Sequence, residues 1–350
     1  MKAIYLLPFI LLLGACAQKT DRSLPPVELV SRIIADKSLP EHSLVKNFEE
    51  SDPSGSIFII GAPRECEHLR SRLLGSDSFD NVDGRRVSDG LPDFAGEIIC
   101  TIVDFAHIPY QRYIAEGRTE EYRAVNVRNL LAAMDTLSYI NEFDRSGLAV
   151  KPLPKIVVMA SPFAGEYSKY DIDSLFSALG CGLPVVYPVK SAAEKINGGR
   201  EGDAVIGVIA SPENLHSGAF SSFVSFPADT SAADPLLTFL DSCMASGNTR
   251  PLDAIILEEP LVDASRVRQT LWRITDSANP ESLSYGKLIA PGCKVVDLAE
   301  SVSEECYRLL RKGNLFTHRI AYPSSMEFKT VATGDSTFVL TQHDNGDPLR

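Results

Sequence analysis

Two apolar strands in this sequence each carry polar side chains to a strand end and then stop at a proline. Ile156-Val157-Val158-Met159-Ala160 runs into Ser161-Pro162, and Ala254-Ile255-Ile256-Leu257 runs into Glu258-Glu259-Pro260. The two lie about a hundred residues apart and form a weak internal repeat that pairs Ser161 with Glu259. A buried glutamate with a raised pKa beside a second one can act as a single general acid or base. That suits a one-base isomerisation, an elimination or a hydrolysis. A serine hydroxyl with no paired base is a poor proton carrier near neutral pH. The plainer alternatives are a solvated Glu258-Glu259 pair at a strand end and a simple turn at Ser161-Pro162. His107 and Tyr110 sit in a second candidate loop, as cleft groups or as rim and core residues. Ser217-Gly218 reads as a helix start, where the hydroxyl caps and free amides favour a carboxylate or phosphate. No HExxH and no clustered Cys/His spacing suggests zinc, and no cofactor is implied.

Alternating β-branched runs and amphipathic stretches must position these groups. From Ser56 onward the pattern is that of βα units on a mostly parallel sheet. The expected strands are 57–61, 98–105, 155–160, 184–187, 204–210, 253–257 and 294–297. The expected helices are 64–74, 120–137, 171–179, 232–243, 264–274 and 300–311, with a hairpin over 328–342 that turns at Thr333-Gly334-Asp335. In open α/β sheets ligands sit beyond the carboxyl ends of strands, which is where Ser161 and Glu259 fall.

At these loops the chain resembles a glutamate racemase, of the aspartate/glutamate racemase superfamily, from about Ser56 to about Phe328. Asp104-Phe105-Ala106-His107-Ile108-Pro109-Tyr110 is similar to the family's aspartate, alanine and Pro-Tyr loop. Ile206 to Ser211, continuing through His216-Ser217-Gly218-Ala219-Phe220, resembles the strand and Ser-Gly-Ala-Tyr helix start of the second lobe. Val295 to Val302 is similar to the returning segment. The resemblance implies two similar α/β lobes around a cleft, and two thiols, one on each face of a substrate α-carbon. Here Ser161 falls at the first thiol and Glu259 at the second. Gly61-Ala62 replaces the family's Asp-Ser pair, Gln111 replaces the glycine after Pro-Tyr, and Phe163 and Pro260 replace the threonines beside the thiols. The ligand contacts so implied are Tyr110, Ser161, Ser217, Gly218 and Glu259, with Gly61, Ala62 and Gln111 on the wall.

The N-terminus has Lys2, an apolar run from Ile4 to Leu13, and then Leu13-Gly14-Ala15-Cys16, which matches a lipobox. The run is shorter than the roughly 20 residues needed to span a bilayer. The expectation is a signal peptide over 1–15, lipid on Cys16 as the membrane anchor, and a tether with a docking helix over 16–55. The first lobe would then cover 56–187 plus 296–350, and the second 188–295. The chain would stand in the cell envelope, facing the periplasm or exterior, where supplying D-glutamate for wall synthesis is not an expected task. A net charge of -12 disfavours nucleic acid and polybasic contact with anionic headgroups. Six cysteines besides Cys16, none in a CxxC pair, read as buried small hydrophobes, with one or two bridges left open by the even count.

Three functions compete. The first is a racemase-fold lipoprotein that has lost two-thiol chemistry and binds a small anionic ligand or a protein partner. The second is an isomerase- or lyase-like enzyme of altered mechanism using Glu259. The third is a periplasmic solute-binding lipoprotein, distinguished by how often the chain crosses between lobes.

Overall fold

The computed structural model describes residues 25–48, 52–140, 147–198, 204–220, 223–227, 234–248, 250–258, 262–317, 319, 321–332 and 338–343. The signal segment, Cys16, Glu259 and the expected turn at Thr333-Gly334-Asp335 lie outside them. Helices α1 (Glu28–Ala35) and α2 (Pro40–Lys46) come first. Then follow β1 (Ser56–Gly61), α3 (Pro63–Leu74), β2 (Ile98–Asp104), α4 (Tyr110–Ala115) and α5 (Thr119–Met134). Short strands β3 (Leu137–Tyr139) and β4 (Leu148–Val150) precede β5 (Pro154–Met159), α6 (Ala164–Tyr167), α7 (Lys169–Leu179) and β6 (Val185–Val186). A second series holds α8 (Pro188–Asn197), β7 (Ile206–Ala210), α9 (Pro212–Leu215), β8 (Val224–Pro227) and α10 (Pro235–Ala245). It continues through β9 (Leu252–Leu257), α11 (Ala264–Thr275), α12 (Glu281–Tyr285) and β10 (Ile289–Asp297). Helix α13 (Leu298–Gly313) leads back to β11 (Ser324–Ala332) and β12 (Phe338–His343).

These strands make two mostly parallel sheets, so the fold is α/β with two lobes. The larger has eight strands in the order β4-β3-β12-β11-β2-β1-β5-β6, the smaller four in the order β10-β9-β7-β8. The smaller is parallel throughout, while the larger has antiparallel pairs only at β11 with β12 and β3 with β4. The chain leaves the larger sheet after β6 and re-enters it at β11, a single excursion.

Central strands β1 and β5 are buried at every position, as parallel strands covered on both faces must be. One face of the larger sheet packs on α1, α2, α5 and α7 through Val30, Ile33, Val45, Leu130 and Leu175. The other packs on α3 and α13 through Leu69, Leu73, Val302 and Leu310. The residues read as a docking helix are therefore core. Val27 N–H donates to Asp171 at 2.8 Å, and Arg123 grips the same carboxylate at 2.7 and 2.9 Å while also donating to the Pro25 carbonyl. At the opposite end of the strands Lys155 and Glu97 pair at 2.6 Å, both wholly enclosed, and Lys155 also donates to the Pro53 and Leu315 carbonyls. Cys66, Cys100, Cys243 and Cys306 are buried, as expected of small hydrophobes, and Cys181 and Cys293 are partly exposed. Among the described residues no helix is long and apolar enough to cross a membrane.

Candidate functional site

The carboxyl ends of β1, β2, β5, β7 and β9 converge between the lobes. Gly61 ends β1 so close to β5 that a Cβ there would lie 2.8 Å from the Ala160 Cβ and 3.1 Å from a Glu65 carboxylate oxygen. A glycine is needed for that approach, and it brings Glu65, in the first turn of α3, to the cleft. The Glu65 carboxylate accepts the Ala62 N–H at 3.2 Å. Although the residue keeps some exposure, desolvation pushes its carboxyl up to about 7, with the charge of Glu258 adding to the rise.

Glu258 reaches the same place from β9 in the other lobe. It accepts the Ser211 N–H at 2.9 Å and a hydrogen bond from the Asn214 amide. Burial raises its pKa, and those donors oppose the rise without cancelling it. Glu65, His68, Ala160, Pro162, Pro188 and Glu258 share the lining of a cavity of about 40 Å³ with Leu298 and Ala299. The His68 Nε2 is buried with no hydrogen-bond partner among the described residues, and desolvation lowers its pKa. A volume of this size suits a water and not an amino acid.

Direct bonds hold the lobes together around that cavity. The Gln111 amide donates to the Asn214 side-chain carbonyl at 2.8 Å, which extends the Asn214–Glu258 contact to the first lobe. The Tyr167 hydroxyl donates to the Ser217 carbonyl at 2.8 Å. Tyr110, Tyr122 and Phe163 form an aromatic cluster behind these bridges, with Tyr167 and Ala219 packed on it.

A second polar centre stands at the end of β2. The Asp104 carboxylate, fully buried, accepts from Tyr110 hydroxyl at 2.8 Å, from the Asn129 amide at 2.7 Å, and from the Thr330 hydroxyl. His107 Nδ1 lies 2.9 Å away. Burial alone would raise this carboxyl; the hydrogen bond and charge of His107, joined by Thr330 and Asn129, outweigh it and hold it below the usual carboxylate range.

The expected site is thus redistributed. Ser161 lies at the end of β5 as expected, but it is buried, and its hydroxyl has no well-formed hydrogen bond among the described residues; its neighbour is the Tyr122 phenol. Tyr110 is core, with its hydroxyl committed to Asp104, and does not stand across a cleft. Gly61, Ala62 and Gln111 do flank the inter-lobe contact. The anion site at Ser217-Gly218 is corrected. No helix starts there: α9 ends at Leu215, Gly218 turns the chain at φ +83, and the Ser217 hydroxyl donates to the Asn214 carbonyl. With carboxylates on both walls, a small anion is a poor occupant of the cavity. Glu259 lies outside the described residues; its neighbour Glu258 is buried and not solvated. Sequence reading missed Glu65 and Asn214, and noted Asp104 only as part of the Pro-Tyr loop. Glu65 had a local signal, a glutamate in the first turn behind a proline at the helix start; Asn214 had none.

No family model matches the chain, and no curated protein matches it in sequence. Among solved structures it is similar to the glutamate racemase of Thermus thermophilus, at 17% identity and a TM-score of 0.42, over 81% of this chain and 91% of that one. It is also similar to the glutamate racemase of Francisella tularensis, at 13% identity and a TM-score of 0.43, over 81% and 91% of the two chains. A glutamate racemase isoform of Bacillus anthracis gives 15% identity and a TM-score of 0.42, over 79% and 89%. The likeness is one of architecture, and the role of each residue comes from the geometry of this chain.

Proposed function

We propose that this protein is an exported lipoprotein, held to a membrane by lipid on Cys16, whose racemase-like lobes form a binding body that does not perform two-thiol racemisation. The bridged cleft carries the reading: Gln111, Asn214 and Tyr167 join the lobes and leave about 40 Å³ between them, with no thiol on its lining among the described residues. The Leu13-Gly14-Ala15-Cys16 sequence supports the anchor. A ligand enters when the lobes part, and the facing carboxylates favour a small molecule with an amino group, such as an amino acid, over a simple carboxylate. The single excursion of the chain between sheets favours this reading over the solute-binding alternative.

Proton NMR of the full chain in detergent and deuterated buffer, with L- and D-glutamate, L- and D-aspartate, and related amines and carboxylates, tests the proposal. Line broadening with every α-proton signal retained is the expected result. A one-base isomerase or lyase is the second reading, favoured by the buried, raised-pKa carboxyl of Glu258 beside a cavity. Loss of an α-proton signal in the wild type, abolished by Glu258→Gln or Glu259→Gln, would establish it instead.

A further inference from the structure

Two carboxyls, one from each lobe, look into a single small cavity. Glu65 comes from α3 of the larger lobe and Glu258 from β9 of the smaller, and both line one cavity of about 40 Å³. Among the described residues no lysine or arginine lines it; its other walls are His68, apolar side chains and prolines. Glu258 has taken its donors from its own lobe, Ser211 and Asn214, and Glu65 has taken Ala62 from its own. Two like charges on the lining of so small a cavity cannot both be borne without cost, whereas a proton on one of them removes the repulsion. We propose that protonation of this Glu65–Glu258 pair is a latch that keeps the two lobes closed and releases them when the second carboxyl ionises.

Other titrating groups around the cavity set the limits of the device. On α3, His68 is flanked by Arg64 and Arg72, and the charge of Asp297 at the end of β10 acts on the same ring. Beside Glu258 the nearest further charge is Glu213 on α9, which also disfavours a second anion. The wall from α13 brings Leu298 and Ala299, α8 brings Pro188, and β5 and its loop bring Ala160 and Pro162, none of which titrates. The carboxyl of Glu65 is pushed up to about 7 from its ordinary 4.5. A raised carboxyl pKa in the closed form means that closure is fully supported below 4.5 and weakens as pH rises, the support being lost once pH passes about 7. Gln111–Asn214 and Tyr167–Ser217 then remain as hydrogen-bonded bridges that do not titrate near neutrality, beside the ion pairs of Lys195 with Glu300 and Glu304 and of Arg268 with Glu300.

The latch is tested on the full chain in detergent. Spin labels are placed through Glu120→Cys on α5 and Gln269→Cys on α11 in a Cys181→Ser, Cys293→Ser background, and the inter-label distance is measured by pulsed electron resonance. Between about pH 5 and about pH 9 the distance distribution should shift from a short to a longer population, with its midpoint near 7. Glu65→Gln, which carries a permanent donor, should hold the short distance throughout. Glu258→Gln should do the same by an independent route, so a folding failure in one variant leaves the other to decide. His68→Gln should leave the transition in place. A wild-type distribution that does not change with pH overturns the proposal, as does a transition that survives both glutamine variants or vanishes with His68→Gln.

Discussion

Asp104 and Glu65 both reach the carboxyl ends of neighbouring parallel strands, yet one carboxyl is ringed by donors and the other faces a second carboxyl. Asp104 collects Tyr110, Asn129, Thr330 and His107, and is held ionised. Glu65 has one backbone donor and the opposing charge of Glu258, and its proton is retained to about 7. Desolvation pushes both upward, so desolvation alone does not separate a structural carboxylate from a responsive one; the supply of donors does. Asp104 ties α4, α5 and β11 to the end of β2 inside one lobe. Glu65 and Glu258 lie where two lobes meet, and there an incomplete polar set has a moving part to act on.

The comparison is broken most sharply at Asp104. Asp104→Ala removes the acceptor of four side chains at once and should destabilise the protein by about 3–5 kcal/mol, read from urea unfolding at neutral pH. Its stabilising charge has the opposite pH sign to Glu65: a lowered carboxyl pKa contributes above 3.8 and is lost as pH falls below that value. An Asp104→Ala loss well under about 1 kcal/mol would mean that the four donors find water, and that the centre is not structural.

Glu65→Gln sharpens the other side. At pH 4 the variant and wild type should unfold alike, because both carry a neutral side chain at that position. From 4.5 toward 7 the wild type loses support while the glutamine does not, so at pH 8 the variant should be the more stable by about 2 kcal/mol. Thermal unfolding at both pH values checks the sign. A variant that is less stable at pH 8 would show that the Glu65 charge is already compensated.

The bridges come next in size. Tyr167→Phe removes one hydrogen bond to the Ser217 carbonyl and keeps the aromatic packing on Tyr122. It should cost about 1 kcal/mol in unfolding, while the inter-lobe distance at pH 8 should lengthen further than in the wild type. Unchanged lobe separation would assign closure to the remaining contacts.

Much of the architecture was legible because buried parallel strands are continuous apolar runs, and β1, β5, β7 and β9 stand out on that ground alone. The short strands β3, β4 and β8 have three or four residues each and carry no such run. The expected likeness of the two lobes holds in the βα pattern, with β3, β4 and the β11–β12 hairpin enlarging one sheet. The site was legible at its strand ends and not in its pairings. Ser217-Gly218 read as a helix start because Ser and Gly suit one, but Gly218 takes a positive φ and ends a turn. Glu65 and Glu258 are separated by nearly two hundred residues, and only the meeting of the first turn of α3 and the end of β9 at one cavity brings them together.

Ser161 gives the smallest expected effect and the cleanest reading of sign. Its hydroxyl is buried beside the Tyr122 phenol without a well-formed bond, so the group has already lost its water and gained little in exchange. Ser161→Ala removes that unsatisfied hydroxyl and should raise stability by up to about 1 kcal/mol. The Tyr122 hydroxyl, also lacking a well-formed partner, would lose nothing measurable. A loss of about 1 kcal/mol would instead show that serine and tyrosine bond in solution. That result would move Ser161 from a position inherited with the strand end to one the aromatic cluster needs, and Phe163 and Tyr122 would then have to be considered together with it. Neither result would make the hydroxyl a proton carrier, because in both cases it faces a phenol whose pKa burial has pushed up, and no base.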